Sequence, residues 1–183
     1  MTRDELEHAI RAACDVADDD EVWVFGSQAI LGQYENAPEE LRMSAEVDIA
    51  PVNEVAKTIN IDANLGELST FHQAYGFYVH GVSIEAAVLP RGWERRAKKV
   101  SNSNTRGKTG LCIEAHDLAV SKLVAFRPKD LDFVRVLLAE NLVSARKVLL
   151  RIDQLTDNER APESHREAMR EWLTGIVRDL GRG

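Results

Sequence analysis

The sequence predicts an α/β (α+β) fold: a small mixed sheet with flanking helices, followed by a C-terminal helical bundle. Three observations lead there. Residues 22–25, Val-Trp-Val-Phe, form a short run of β-branched and aromatic residues suited to a buried strand, and Gly26-Ser27 breaks it. Residues 45–49, Ala-Glu-Val-Asp-Ile, alternate small or apolar side chains with acids, the period of a half-buried strand. From residue 114 onward, apolar residues recur at the three-and-four spacing of core-facing helices. The boundary this implies puts a core at 1–110 and a helical region at 111–183.

Taken in order, residues 3–17 read as an amphipathic helix with Leu6, Ala9, Ile10, Ala13 and Cys14 on one side. Thr2 is placed to cap it, with Glu5 completing a capping box. The acidic run Asp18-Asp19-Asp20-Glu21 has no ligand-like spacing and reads as a solvated turn. After Gly26-Ser27, residues 28–31 have helix-compatible composition, and Pro38 breaks the polar stretch that follows. Residues 53–68 start as a helix, 69–76 read as a connection, and 77–80 and 82–89 read as two strand runs near Gly81. In the C-terminal part, helices are expected over 114–125, after Pro128, over 144–153 and over 162–180.

The chemistry-bearing residues gather in the second strand. Side chains in a strand repeat every second residue, so Glu46 and Asp48 emerge on one face. Two adjacent carboxylates repel unless a cation lies between them, and Mg²⁺ prefers hard oxygen ligands while leaving room for phosphates. The Gly26-Ser27 turn offers N–H groups and a hydroxyl to such a phosphate. Arg42 is close enough in sequence to reach a triphosphate or to neutralise Glu46. Farther along, Lys122 lies among Leu118, Leu123 and Ala125, and Arg127, Lys129 and Asp130 crowd the Pro128 junction. A lysine there can snorkel, or it can take Asp130 as a partner where Pro128 lets the second helix fold back. His72 is readable as a general base, but a lone His among aromatics is more often a hydrogen-bonded structural residue.

Gly26-Ser27, a spacer and Glu46-Val47-Asp48 resemble the Gly-Ser…[Asp/Glu]-x-[Asp/Glu] signature of the nucleotidyltransferase superfamily of the DNA polymerase β type. The surrounding Phe-Gly-Ser-Gln-Ala-Ile-Leu-Gly and Glu-Val-Asp-Ile-Ala-Pro are similar to a bacterial, DUF6036-like family of nucleotidyltransferase-like proteins related to AbiEii-type toxins. The block Asp117-Leu118…Lys122-Leu123…Arg127-Pro128-Lys129-Asp130 resembles the second motif of the AbiEii-type enzymes. The resemblance implies a nucleotidyltransferase-like core that moves a nucleotide from an NTP to an acceptor, with tRNA or protein as acceptor and an antitoxin as partner. It implies Mg²⁺ on Glu46 and Asp48, phosphates on Gly26 and Ser27, and catalytic roles for Lys122 and Asp130. It also implies a third carboxylate from a neighbouring strand, for which Glu85 stands in a strand-like run; the duller reading of Glu85 is a salt-bridged strand residue. Glu46 departs from the superfamily's commoner Asp, and the extra methylene moves the carboxylate outward. The reading from another class is a non-catalytic nucleotide- or partner-binding module on the same fold.

Composition narrows the field. A net charge of −7 and pI near 5.3 disfavour a general nucleic-acid coat protein. A local excess of charge at Arg91, Arg95, Arg96, Lys98, Lys99, Arg106 and Lys108 is either a solvated loop or a lip that tracks phosphates. No apolar run approaches the ~20 residues of a membrane helix, and the charged N-terminus does not read as a signal peptide. Cys14 and Cys112 sit singly, as reduced thiols in the core of a cytoplasmic protein would. The C-terminal helices read as a cap on the core or as a homodimer surface.

Overall fold

Helix α1 (Arg3–Ala17) begins as the sequence requires: the Thr2 hydroxyl accepts the Glu5 N–H at 3.2 Å, and the Glu5 carboxylate accepts the Thr2 N–H at 2.6 Å. The computed structural model describes residues 1–156 and 158–181. They form two units, one of Met1–Ala87 with Arg96–Glu114, the other of Val88–Arg95 with Ala115 onward. No helix among the described residues is long and apolar enough to cross a membrane.

The first unit is built on a five-stranded mixed sheet in the order β3-β2-β1-β5-β4. Its strands are β1 (Glu21–Phe25), β2 (Glu46–Pro51), β3 (Tyr78–Gly81), β4 (Lys98–Val100) and β5 (Thr109–Cys112). The pairs β1–β5 and β2–β3 are parallel; β1–β2 and β4–β5 are antiparallel. On one face Val22, Val24, Val47, Ile49 and Val79 are fully buried. Helix α1 and helix α2 (Thr58–Leu65) cover that face closely. A Cβ on Gly110 would meet the Ile10 side chain at 2.4 Å, and one on Gly81 the Thr58 carbonyl at 2.3 Å. Alternation therefore sends Glu46, Asp48 and His80 to the opposite face.

One local expectation is refined and two are corrected in this unit. The segment after Gly26 is a 3₁₀ helix, Ser27–Gly32, whose residues 28–31 are all buried. Residues 69–76 are not a plain connection: Ser69 caps a short helix α3 (Thr70–Tyr75), which ends at Gly76 with φ +76°. Residues 82–89 are not a strand, because Ser83 accepts the Glu85 N–H and winds Ile84–Ala86 into a 3₁₀ turn. Glu85 is consequently an exposed turn residue.

Polar loops are held by buried acids. Glu7, 4% exposed, accepts from Arg3, Asn102 and Asn104 at 2.8–2.9 Å, so α1 anchors the turn that follows β4. Asp19 accepts from the N–H groups of Asp20, Glu21 and Asn53 and from the Asn53 side chain. Burial alone would raise the Asp19 pKa, but these bonds outweigh it and hold the carboxyl below its usual range. With Asp20 paired to Lys108 at 2.8 Å, the acidic run is turn chemistry. The two cysteines are free and buried, and burial pushes both thiols up to about 12.

The second unit contains α4 (Ala115–Ala125), α5 (Pro128–Ala139), α6 (Ala145–Ile152) and α7 (Glu163–Leu180). Their apolar stripes meet through Leu118, Leu123, Val134, Leu137, Val148, Ile152, Met169 and Leu173, all at most 1% exposed. Polar ties fix the packing: Arg151 of α6 lies 3.2 Å from the buried Asp117 of α4, and His165 of α7 hydrogen-bonds the Val124 carbonyl at 2.9 Å.

Candidate functional site

In the first unit, the register of β2 and β3 builds the site. Asp48 lies opposite His80 and Glu46 opposite Tyr78, so all four side chains share one face. The His80 Nδ1 is 3.0 Å from Asp48 Oδ1 and 3.2 Å from Glu46 Oε1. The Tyr78 hydroxyl donates to the other Glu46 oxygen, Oε2, at 3.0 Å. Among the described residues, Glu46, Asp48 and His80 offer ligand atoms that all lie within 4.8 Å of one another.

Gly26 backs this cluster. It follows β1, with φ +66° and ψ −168°, a region that is essentially glycine's alone. A Cβ there would lie 1.9 Å from Asp48 Oδ2. The Gly-Ser turn therefore does more than expose backbone donors: it lets the chain pass directly against the carboxylate. Next to Ser27, the Gln28 amide is fully buried and has no hydrogen-bond partner among the described residues.

Electrostatics distinguish the members. Burial, with the neighbouring Glu46 charge, raises Asp48 from 3.8 to about 6, despite the opposing pull of His80. For His80, burial disfavours the imidazolium, but the hydrogen bond to Asp48 and the charges of Asp48 and Glu46 outweigh it and raise the pKa. Burial and the bond to Glu46 push the Tyr78 hydroxyl up to about 12, so it remains a donor at neutral pH.

The other expected site residues are placed as follows. Glu85 belongs to the same unit, but on a 3₁₀ turn and outside the three-ligand cluster; the strand neighbour of the acidic pair is His80. Nothing in the strand run 77–80 marks His80 as a site residue; only the parallel register with 46–49 brings it beside Asp48. Arg42 donates from Nε to the Ala37 carbonyl at 2.6 Å. His72 accepts the Leu68 N–H at 3.1 Å, a structural bond.

Lys122 and Asp130 come together in the second unit. The Lys122 ammonium is 3.2 Å from Asp130 Oδ1 and 5.2 Å from the centre of the Phe133 ring. Arg127 holds the second oxygen at 2.5 Å, and Asp130 is fully buried. Burial would raise the Asp130 pKa, but the bonds from Arg127 and Lys122 prevail and hold the carboxyl below its usual range. The basic segment is divided: Arg91 and Arg95 belong to the second unit, Arg96 to Lys108 to the first. Lys98 and Lys99 are exposed on the edge strand β4, where lysines also guard against strand pairing with other chains.

Two strand carboxylates and an imidazole, backed by a Gly-Ser turn on a mixed sheet, form a cluster whose donor atoms could hold a metal ion. The chain belongs to the family described as "Nucleotidyltransferase of unknown function (DUF6036)", whose model matches residues 4–172. No curated protein and no solved structure matches it.

Proposed function

We propose that this protein is a divalent-cation-dependent nucleotidyltransferase, similar to the AbiEii-type toxins, that moves a nucleotide from an NTP to an acceptor such as tRNA or a protein. The observation that carries the reading is the placement of Glu46 and Asp48 on one face of β2, with the Gly26 backbone against Asp48. The two carboxylates fit a hard dication, here Mg²⁺ in the first instance, and Glu46 and Asp48 would hold it. When bound, that cation neutralises triphosphate charge and orients the phosphates for in-line attack. Ser27 and the N–H groups of its turn would position the phosphates, a contribution of preorganised donors rather than of covalent chemistry. Tyr78 fixes the Glu46 rotamer through Oε2, which offsets the looseness of the extra methylene.

For Lys122 and Asp130 the catalytic roles follow from the resemblance alone. Lys122 would stabilise developing phosphate charge, and Asp130 would orient it or activate the acceptor. An antitoxin partner, a homodimer and a cytoplasmic setting belong to the same proposal. So does an RNA-binding role for Arg95, Arg96, Lys98 and Lys99. A second reading, a non-catalytic nucleotide-binding module, is favoured by Glu46 standing where most active enzymes carry Asp.

The deciding experiment incubates the protein with each labelled NTP, a divalent cation and either total tRNA or a protein extract. Transfer of label that is lost in Asp48→Asn and Lys122→Met supports the enzyme. Cation-dependent NTP binding without transfer to either acceptor supports the binding module instead.

A further inference from the structure

We propose that His80 is the third ligand of the cation held by Glu46 and Asp48, and that its nitrogen makes the site prefer Mn²⁺ to Mg²⁺. The inference rests on the reading of Glu46 and Asp48 as the cation pair, and goes beyond it by assigning His80 and ranking Mn²⁺ above Mg²⁺. Donors bound to one metal at about 2.1 Å lie roughly 3 Å apart when adjacent and about 4.2 Å apart when opposed. The Nδ1 of His80 is already 3.0 Å and 3.2 Å from one oxygen of each carboxylate. All three donors lie within 4.8 Å of one another, so small side-chain rotations gather them around one ion.

The rest of the structure holds these donors toward that point. Glu46 commits Oε2 to the Tyr78 hydroxyl and turns Oε1 toward His80. Asp48 packs Oδ2 against Gly26 and turns Oδ1 toward His80. Each acid thus presents one oxygen to a common point, with its other oxygen fixed from behind. The His80 side chain is 46% exposed, so the outer side of the cluster is open to water or a phosphate. The parallel register of β2 and β3 sets the imidazole opposite Asp48.

Ligand chemistry then selects the ion. Carboxylates serve Mg²⁺ and Mn²⁺ alike, whereas imidazole favours transition metals over Mg²⁺, which keeps oxygen ligands and gives up water reluctantly. An O₂N donor set therefore ranks Mn²⁺ above Mg²⁺, while the two carboxylates accept either ion.

The test is pulsed EPR of Mn²⁺ bound to the full-length protein, combined with Mn²⁺/Mg²⁺ competition. Wild type is expected to show ¹⁴N modulation from a directly bound imidazole and to favour Mn²⁺ by at least ~10-fold. His80→Asp should abolish the modulation and bring the two affinities close together. Bound Mn²⁺ without ¹⁴N coupling in the wild type overturns the assignment of His80, and this readout needs no variant. If binding is then still lost in Asp48→Asn, the carboxylate reading survives alone. Unchanged binding in Asp48→Asn, or no binding in the wild type, overturns both.

Discussion

Replacing Gly26 with alanine tests whether the Gly-Ser turn is a packing requirement or only a source of donors. A Cβ at this position would stand 1.9 Å from Asp48 Oδ2 and 3.0 Å from its carboxyl carbon. The oxygen has to retreat by about 1 Å, a misplacement that costs on the order of 100-fold in a catalytic constellation. The backbone at φ +66° and ψ −168° adds strain of about 1–3 kcal/mol for a side-chain-bearing residue. For a chain of this size, each kcal/mol lowers Tm by about 2–4 °C. Gly26→Ala is therefore expected to melt several degrees below wild type and to bind divalent cation at least ~10-fold more weakly. Thermal melts followed by circular dichroism and calorimetric titration with Mn²⁺ measure the two effects separately. Wild-type Tm together with wild-type affinity would refute the argument, because both the strain and the contact with Asp48 would then be absent.

Three further outcomes follow from the same structure. Asp130→Ala removes the buried carboxylate shared by Lys122 and Arg127 and should cost on the order of 3–5 kcal/mol, with Lys122→Met milder because Arg127 still pairs with Asp130; equal melting of Asp130→Ala and wild type would contradict the buried pair. Asp48 and His80 both have raised folded-state pKa values, so the folded state holds their protons more tightly than the unfolded state does. Stability from Asp48 is full below its ordinary 3.8 and lost as pH rises through about 6, and that from His80 is lost as pH rises through its raised value. In cation-free buffer, this pair's contribution to Tm should thus fall from acid to neutral pH; Asp48→Asn should flatten the fall and lower the His80 pKa seen by NMR, and an unmoved His80 titration would contradict the coupling. Gln28→Met removes a buried amide that lacks a partner among the described residues, and should be neutral or stabilise by about 1–3 kcal/mol, whereas a clear loss of stability would show that the amide is bonded.

Much of this molecule is written in short-range pattern. The capping box of Thr2 and Glu5, the strand at 22–25 and the acidic strand at 46–49 depend on periodicity and on contacts within a few residues, and so they are readable directly. The same holds for the Pro128 junction and the pairing of Lys122 with Asp130, since only a tight turn separates their helices. Where local hydrogen bonding competed with periodicity, the pattern misled. The Ser83 hydroxyl took the Glu85 N–H and wound an apparent strand into a turn, and Ser69 likewise capped a helix inside an apparent connection.

The membership of the site is another matter. The sequence by itself determined that Glu46 and Asp48 share a face, because strand alternation is a property of one segment. It could not determine which strand lies beside them, since register is settled by side chains and turns far apart in the chain. Only the tertiary structure decided that His80 joins the acids, that Tyr78 braces Glu46, and that Gly26 is glycine because Asp48 leaves no room for a Cβ.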